Sequence, residues 1–183
     1  MQKYYKAEMD RLLSITTRLA SFFFILPPAV LAVIWYKTKY AAPLCRPAPP
    51  FIDQFLGAGI VLFAVLMAIT AYVTKAMAPR GYSLNDIELV IDREMKPITI
   101  PLAEILEVRP VEDGLLRGSL RLMGTSGYYG YYGLFWKKGV GRYRAYATRL
   151  KGLVYVKTEK TLFVLSPENP EDFISTLGGL LRR

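Results

Sequence analysis

Two charge-free apolar runs, Leu19 to Tyr36 and Phe55 to Thr74, limit the possible folds more than any other feature. The first, bounded by Arg18 and Lys37, has 18 residues and would extend about 27 Å as a helix, against a bilayer core of about 30 Å. The second has 20 residues and no proline, with Tyr72 near its end and Lys75 directly after it. A helix that is apolar all round belongs in a large core or in a membrane, and a chain of 183 residues has little use for two such core helices. We read them as transmembrane helices at about 19–36 and 55–74. Pro27 and Pro28 remove two successive backbone donors from the first, which predicts a kink or a re-entrant bend there.

The 18 residues before the first run include Glu8 and Asp10, unlike the short basic start of a cleavable signal, so the run is expected to be retained. The link at 37–54 carries Pro43, Pro47, Pro49 and Pro50 and is too short and irregular for a domain. Residues 1–78 thus form the expected anchor. Lys3, Lys6, Arg11 and Arg18 before the first span, with Lys75, Arg80 and Arg93 after the second, outnumber Lys37, Lys39 and Arg46 in the link. The positive-inside rule then places both termini and everything after residue 78 in the cytoplasm, across an inner or plasma membrane. Cys45, the single cysteine, faces outward on this topology, either as a lone thiol able to pair between chains or as an unremarkable loop residue.

From Pro79 the apolar pattern breaks into short strand-like runs, so the second domain is set at 79–183. Ile87, Leu89 and Ile91 alternate with polar residues, as do Ile98, Ile100 and Leu102, and the turn at 93–96 joins them into a hairpin. Further strands are expected at 105–111, 116–122, 141–148, 153–158 and 161–166, about seven in all. Asn169 then caps a helix with Pro170 at its first position and Glu171 and Asp172 in its first turn. Phe173, Ile174, Leu177, Leu180 and Leu181 make its apolar stripe, which Gly178 and Gly179 weaken by about 1 kcal/mol each.

Several of these strings occur together in one family. Leu89-Val90-Ile91-Asp92, Ile100-Pro101-Leu102-Ala103-Glu104-Ile105, the glycine- and aromatic-rich centre, and Val164-Leu165-Ser166-Pro167-Glu168-Asn169-Pro170-Glu171-Asp172-Phe173-Ile174 give residues 81–180 a resemblance to the bacterial pleckstrin-homology-like (PH-like) domains. Members of that family often follow transmembrane helices. The resemblance implies a mainly-β domain, a strongly bent and partly open barrel with one C-terminal capping helix. It implies a binding or scaffolding module, often oligomeric, rather than an enzyme. Phosphoinositide-binding relatives carry a basic cluster around the first hairpin. Here that hairpin offers Arg93 and Lys96 flanked by Asp92 and Glu94, so specific inositol phosphate recognition is not expected.

Charge is distributed unevenly. The chain has 24 Lys+Arg against 15 Asp+Glu and no histidine, which excludes histidine acid-base chemistry and histidine metal sites. From Gly114 to Thr158 there is no acidic residue but nine basic ones. Among them Arg117 and Arg121 share a face of one strand, and Arg142 and Arg144 a face of another. Between these strands lies an aromatic loop, and Tyr128, Tyr129, Tyr131, Tyr132 and Trp136, beside Lys137 and Lys138 with Arg142 and Arg144, are the candidate membrane or partner patch. Its expected partners are anionic lipid headgroups, a membrane protein or a second copy of the chain; the alternative is that the rings cover the barrel or pack along a long hairpin, with the basic residues as a solvated face.

Nucleic acid is not an expected partner: residues 79–183 hold 16 Lys+Arg against 12 Asp+Glu, and the rest of the excess serves topology. The pairs Asp86/Glu88, Glu104/Glu107 and Glu112/Asp113 fall on strands or turns facing solvent, without a nucleophile and base, so neither catalysis nor a metal or cofactor is expected. The function read from the sequence is therefore a membrane-anchored binding or scaffolding module. The alternative is an accessory subunit of a transporter or envelope assembly that works through its helices.

Overall fold

A computed structural model describes residues 3–40, 50–112 and 114–182. Cys45, Arg46 and the prolines at 43, 47 and 49 lie outside the described residues, as do Asp113 and Arg183. Both expected apolar helices are present and longer than predicted: α1 (Arg11–Tyr40) and α2 (Pro50–Met77). Asp10 caps α1, its carboxylate accepting from the Leu13 amide at 2.7 Å. The re-entrant bend expected at Pro27 and Pro28 is not found, because α1 runs unbroken through both to Tyr40. Two missing donors are tolerated because the turns on either side keep their own bonds.

By their contacts, residues 18–73 form one unit, and residues up to Thr17 together with those from Thr74 form the other. In the helical unit, Arg11–Lys37 and Phe51–Met77 each include a stretch long and apolar enough to cross a membrane, not buried inside the protein. Phe22, Phe23, Phe55 and Val61 are all more than 60% exposed. A side-chain cluster joins the two helices near the link: the Trp35 indole donates to Asp53 at 2.7 Å, and Lys39 pairs with the same carboxylate at 2.5 Å. A Cβ on Gly57 would stand 3.2 Å from the Trp35 ring, so the glycine lets α2 approach it.

The other unit is built on two sheets and a helix, without a closed barrel. Strands β2 (Pro79–Leu84), β3 (Glu88–Arg93) and β4 (Ile98–Pro101) form an antiparallel meander. Neither β2 nor the fourth strand beside it was expected. Residues 3–6 were assigned to the anchor, yet they form β1 (Lys3–Lys6), which pairs antiparallel with β2 from Lys3↔Leu84 to Lys6↔Gly81. The physical reason is the open edge of β2, which β1 completes.

After one 3-10 turn at Leu102–Glu104 the chain enters the second sheet: β5 (Ile105–Pro110), β6 (Leu120–Ser126), β7 (Tyr131–Lys137), β8 (Gly141–Ala147), β9 (Val154–Thr158) and β10 (Leu162–Leu165). Their order is β5-β9-β10-β8-β7-β6, with β10 and β8 parallel. The expected strand at 116–122 lies later, at β6, because Leu116 turns into the core and the Ser119 hydroxyl donates to the Leu115 carbonyl at 2.6 Å. The run read as an aromatic loop contains β7. Gly133 faces Gly124 across the β6–β7 pair, both at positive φ, and a Cβ on either would lie within 2.2 Å of the opposite backbone. Here glycine permits close pairing rather than a loop.

The six-stranded sheet is covered on both faces. One face, with Val154, Val156, Phe163 and Leu165, meets Tyr82, Leu84, Leu89 and Ile91 of the four-stranded sheet and Phe173 and Leu177 of α3 (Pro170–Leu181). The other, with Phe135, Tyr143, Ala145 and Val164, is covered by Leu116, Leu153 and Leu13 from the first turn of α1. Ser166, from the string before α3, bonds across this core: its amide donates to the Tyr82 hydroxyl (3.1 Å), and its own hydroxyl accepts from the Thr148 amide (2.8 Å). Asn169 caps α3 as expected, accepting from the Asp172 amide at 3.3 Å, and the helix continues through Gly178 and Gly179 because Phe173 and Leu177 anchor it.

Tyr5 fastens β1 to α3. Its ring is buried edge-on against Phe173, with centroids 5.0 Å apart, and its hydroxyl donates to the Asp172 carboxylate at 2.8 Å. Tyr5→Ala is expected to cost about 3–5 kcal/mol, the range for a buried aromatic, read by denaturant unfolding of the full chain in detergent. The bond from Lys3, then that from Tyr5, holds the Asp172 carboxyl below its usual 3.8. This stabilisation is complete above that value and is lost as pH falls through the lower folded value. Asp172→Asn should flatten that acid limb in the same unfolding measurement.

Candidate binding surface

The nine candidate patch residues do not form one surface; the two ends of the β6–β7 hairpin divide them. At the turn, Tyr128 and Tyr129 are half-buried, with ring centroids 4.7 Å apart. The Tyr129 amide donates to the Thr17 hydroxyl at 3.0 Å, and the Thr16 hydroxyl donates to the Gly127 carbonyl at 2.9 Å. Tyr131 and Tyr132, expected to be exposed, are 8% and 3% exposed. The cause is β7 itself: alternation sends Tyr131 into the core cluster on one face and Tyr132 into the cluster on the other. The Tyr132 hydroxyl donates to the Thr74 carbonyl.

At the far end Lys137 also departs from expectation. Its ammonium donates to the carbonyls of Gly114 (2.9 Å) and Leu115 (3.1 Å), so it holds the 114–117 turn. The candidates left for a surface at this end are Trp136, 42% exposed, with Lys138, Arg142 and Arg144. Register gathers new neighbours around them. Leu120 lies opposite Trp136, which lies opposite Arg142; Met123 lies opposite Leu134, which lies opposite Arg144. These two cross-strand rows share one face, and Leu120 and Met123 are 60% and 73% exposed. The next row on that face, Thr125–Tyr132–Tyr146, places both tyrosines in the core.

Sequence reasoning missed Leu120 and Met123 because their place beside Trp136 depends on β7 being a strand. The bulge between Arg121 and Met123 also shifts the alternation. β6 is a sheet edge, bonded to β7 on one side. Among the described residues no acidic side chain pairs with Lys138, Arg142 or Arg144. The face therefore joins exposed apolar side chains to uncompensated positive charge.

The other charged groups have different roles. Arg80 pairs with Glu94, and the Arg93 guanidinium donates to the Lys96 carbonyl at 2.8 Å, so the first hairpin turn is internally bonded. Glu107 pairs with Arg109 at 3.0 Å and Glu104 with Lys160 at 3.3 Å. A cavity of about 450 Å³ is lined by Arg109, Val111, Leu115, Lys137 and Tyr155, with Glu112 the one carboxylate among its described lining residues. Arg109 lies over the Tyr155 ring there, at 4.3 Å.

Residues 80–180, from β2 into α3, match the bacterial PH domain family. The chain belongs to that family. Comparison with curated proteins and with solved structures gave no match. The family is one of binding modules, which agrees with a domain whose distinctive surface is an exposed apolar and basic face. β1 and the start of α1 lie outside the matched residues, although they complete the PH domain's sheet and core.

Burial pushes the Tyr82 and Tyr132 hydroxyls up to about 12 from the usual 10.0. A raised phenol stabilises the fold fully below its unfolded value, and that contribution is lost as pH rises toward the folded one. Absorbance titration at 295 nm should show these two ionising only as the fold opens between about 10 and 12. Tyr82→Phe should lower stability to denaturant by about 1–3 kcal/mol, since it removes the acceptor of the Ser166 amide and the donor to the Tyr146 carbonyl.

Proposed function

We propose that this chain is a membrane-anchored PH-domain scaffold. In this reading α1 and α2 cross the inner or plasma membrane as a hairpin, and both termini and the PH domain lie in the cytoplasm. The face of Leu120, Met123, Trp136, Arg142 and Arg144 recruits a protein partner with an acidic rim and an apolar centre. The observation that carries the topology is the β1–β2 pairing. β1 precedes the first helix and β2 follows the second, yet they share one sheet. Strands of one sheet lie on one side of a bilayer, so the chain between them crosses an even number of times.

Two further observations support this reading. Phe22, Phe23 and Phe55 face outward from helices that a water-soluble protein would have to cover. The lysines and arginines near the membrane favour the termini over the link, as cytoplasmic termini require. A protein is the favoured partner because the exposed rings and side chains form a mixed apolar and basic face on a sheet that ends in an open edge strand. The accessory-subunit reading draws on a cavity of about 630 Å³ between α1 and α2, lined by Leu31, Ile34, Phe51, Phe55 and Phe63, which a neighbouring helix could fill.

Topology is tested with a membrane-impermeant maleimide on intact cells. Native Cys45 should react from outside, whereas Cys45→Ser/Ser175→Cys should react only after permeabilisation; the reverse pattern sinks the cytoplasmic placement. Recruitment is tested with a photo-crosslinking residue at Trp136 in the full chain in its native membrane. Adducts to one protein, lost in Arg142→Glu/Arg144→Glu, are expected. Adducts only to lipid would replace the protein partner with the membrane surface, and adducts from Phe63 alone would favour the accessory subunit.

A further inference from the structure

We infer that the Tyr128–Tyr129 turn is a second contact surface, distinct from the Trp136 face, and that it docks against the headgroup layer where the helices leave the PH domain. This rests on the reading of α1 and α2 as membrane spans.

Position is the first argument. The turn is strapped to Thr16 and Thr17 by the bonds from the Thr16 hydroxyl and the Tyr129 amide. Thr17 is followed by Arg18 and then by Leu19, the first residue of the apolar run. At about 1.5 Å of rise per helical residue, Leu19 begins only about 3 Å further along the axis than Thr17. The same hairpin reaches the other helix through the Tyr132 hydroxyl on the Thr74 carbonyl, at the last residue of the second apolar run. One hairpin therefore bonds, through its turn and through Tyr132, to residues directly beside one end of each apolar run.

Chemistry is the second argument. Tyrosine has an apolar ring and a polar tip, which suits the layer between hydrocarbon and water. Arg18 and Lys75, each next in sequence to a residue the hairpin grips, supply cations beside the two apolar runs, as an anionic leaflet favours. Backbone conformation is the third. Tyr129 has φ 59, the one positive-φ residue other than glycine among the described residues. Glycine stands two residues before it and directly after it, yet the strained position itself holds a large aromatic. A ring kept there against its backbone preference, beside a second tyrosine and bonded to the residues that lead into the first apolar run, fits an interfacial anchor better than a plain turn.

The test uses the full chain with Cys45→Ser, reconstituted in phosphatidylcholine vesicles with and without phosphatidylglycerol. Nitroxide labels are placed one at a time by Tyr128→Cys, Lys138→Cys and Leu62→Cys, and their accessibility to oxygen and to an aqueous nickel reagent is read by power saturation. The Leu62 label should be reached by oxygen and shielded from nickel, and the Lys138 label freely reached by nickel. The Tyr128 label should have clearly lost nickel accessibility relative to Lys138 and sit at phosphate depth. A Tyr128 label as open to nickel as the Lys138 label, with Leu62 shielded, overturns the inference and leaves the membrane anchor standing. A Leu62 label open to nickel overturns the anchor and the inference together. If Tyr128→Cys lacks the native circular dichroism, Ser126→Cys, exposed at the entry to the same turn, carries the label and is judged by the same outcomes.

Discussion

The main-chain pairing of β1 with β2 is the constraint on which the rest of this structure depends. It joins a strand made before the first apolar helix to one made after the second, so the sheet cannot close until both helices are in place. Tyr5 and Lys3 then fix β1 to α3, at the other end of the sequence, through a buried ring and one carboxylate. The chain leaving β1 carries Leu13 into the core on the far side of the six-stranded sheet. A four-residue strand thereby ties together the four-stranded sheet, the C-terminal helix and the start of α1. The PH domain here is a discontinuous fold, with its two pieces separated by the whole helical unit.

The aromatic residues of the β6–β7 hairpin divide their work along its length. Next to the turn, Tyr132 lies between the sheets and holds the end of α2, Tyr131 fills the opposite face, and the Tyr129 amide donates to the Thr17 hydroxyl of α1. Five strand positions beyond Tyr131 the cover of the four-stranded sheet has ended, and the face that holds Tyr132 in the core presents Trp136 to solvent. One alternating strand thus supplies core at one end and surface at the other. Arg142 and Arg144 are carried onto the same exposed face by their pairing with Trp136 and Leu134.

The charged groups separate in the same way. Lysines and arginines that were equal in the sequence are unequal in the fold. Lys137 is spent on backbone carbonyls, Arg80 on Glu94 and Arg109 on Glu107 and Tyr155, whereas Lys138, Arg142 and Arg144 have no acidic partner among the described residues. Binding energy is concentrated where apolar area and unpaired charge coincide, because a partner can bury the one and compensate the other. That coincidence occurs on the β6–β8 face. The first hairpin turn, the usual basic site of phosphoinositide-binding relatives, is closed by its own bonds.

Much of the architecture was legible in the sequence because it depends on local rules. Continuous apolarity over 18 and 20 residues gave the two helices, alternation gave β3 and β4, and Asn169 with Pro170 gave the start of α3 to the residue. The strings from Leu89 to Ile174 were enough to recognise the bacterial PH domain. β1 was missed because four residues carry no periodicity of their own, and their strand exists only through β2. β7 was read as a loop because three glycines and four tyrosines look like one until Gly124 and Gly133 are seen facing each other. Exposure of the tyrosines could not be read either, since it depends on what covers each face, a property of the paired sheets and not of any strand. Sequence determined which segments are helix, strand and apolar span, because those follow from neighbours a few residues away. Only the tertiary structure decided which tyrosines are core, which arginines are unpaired and where the domain begins, because those depend on partners up to 173 residues distant along the chain.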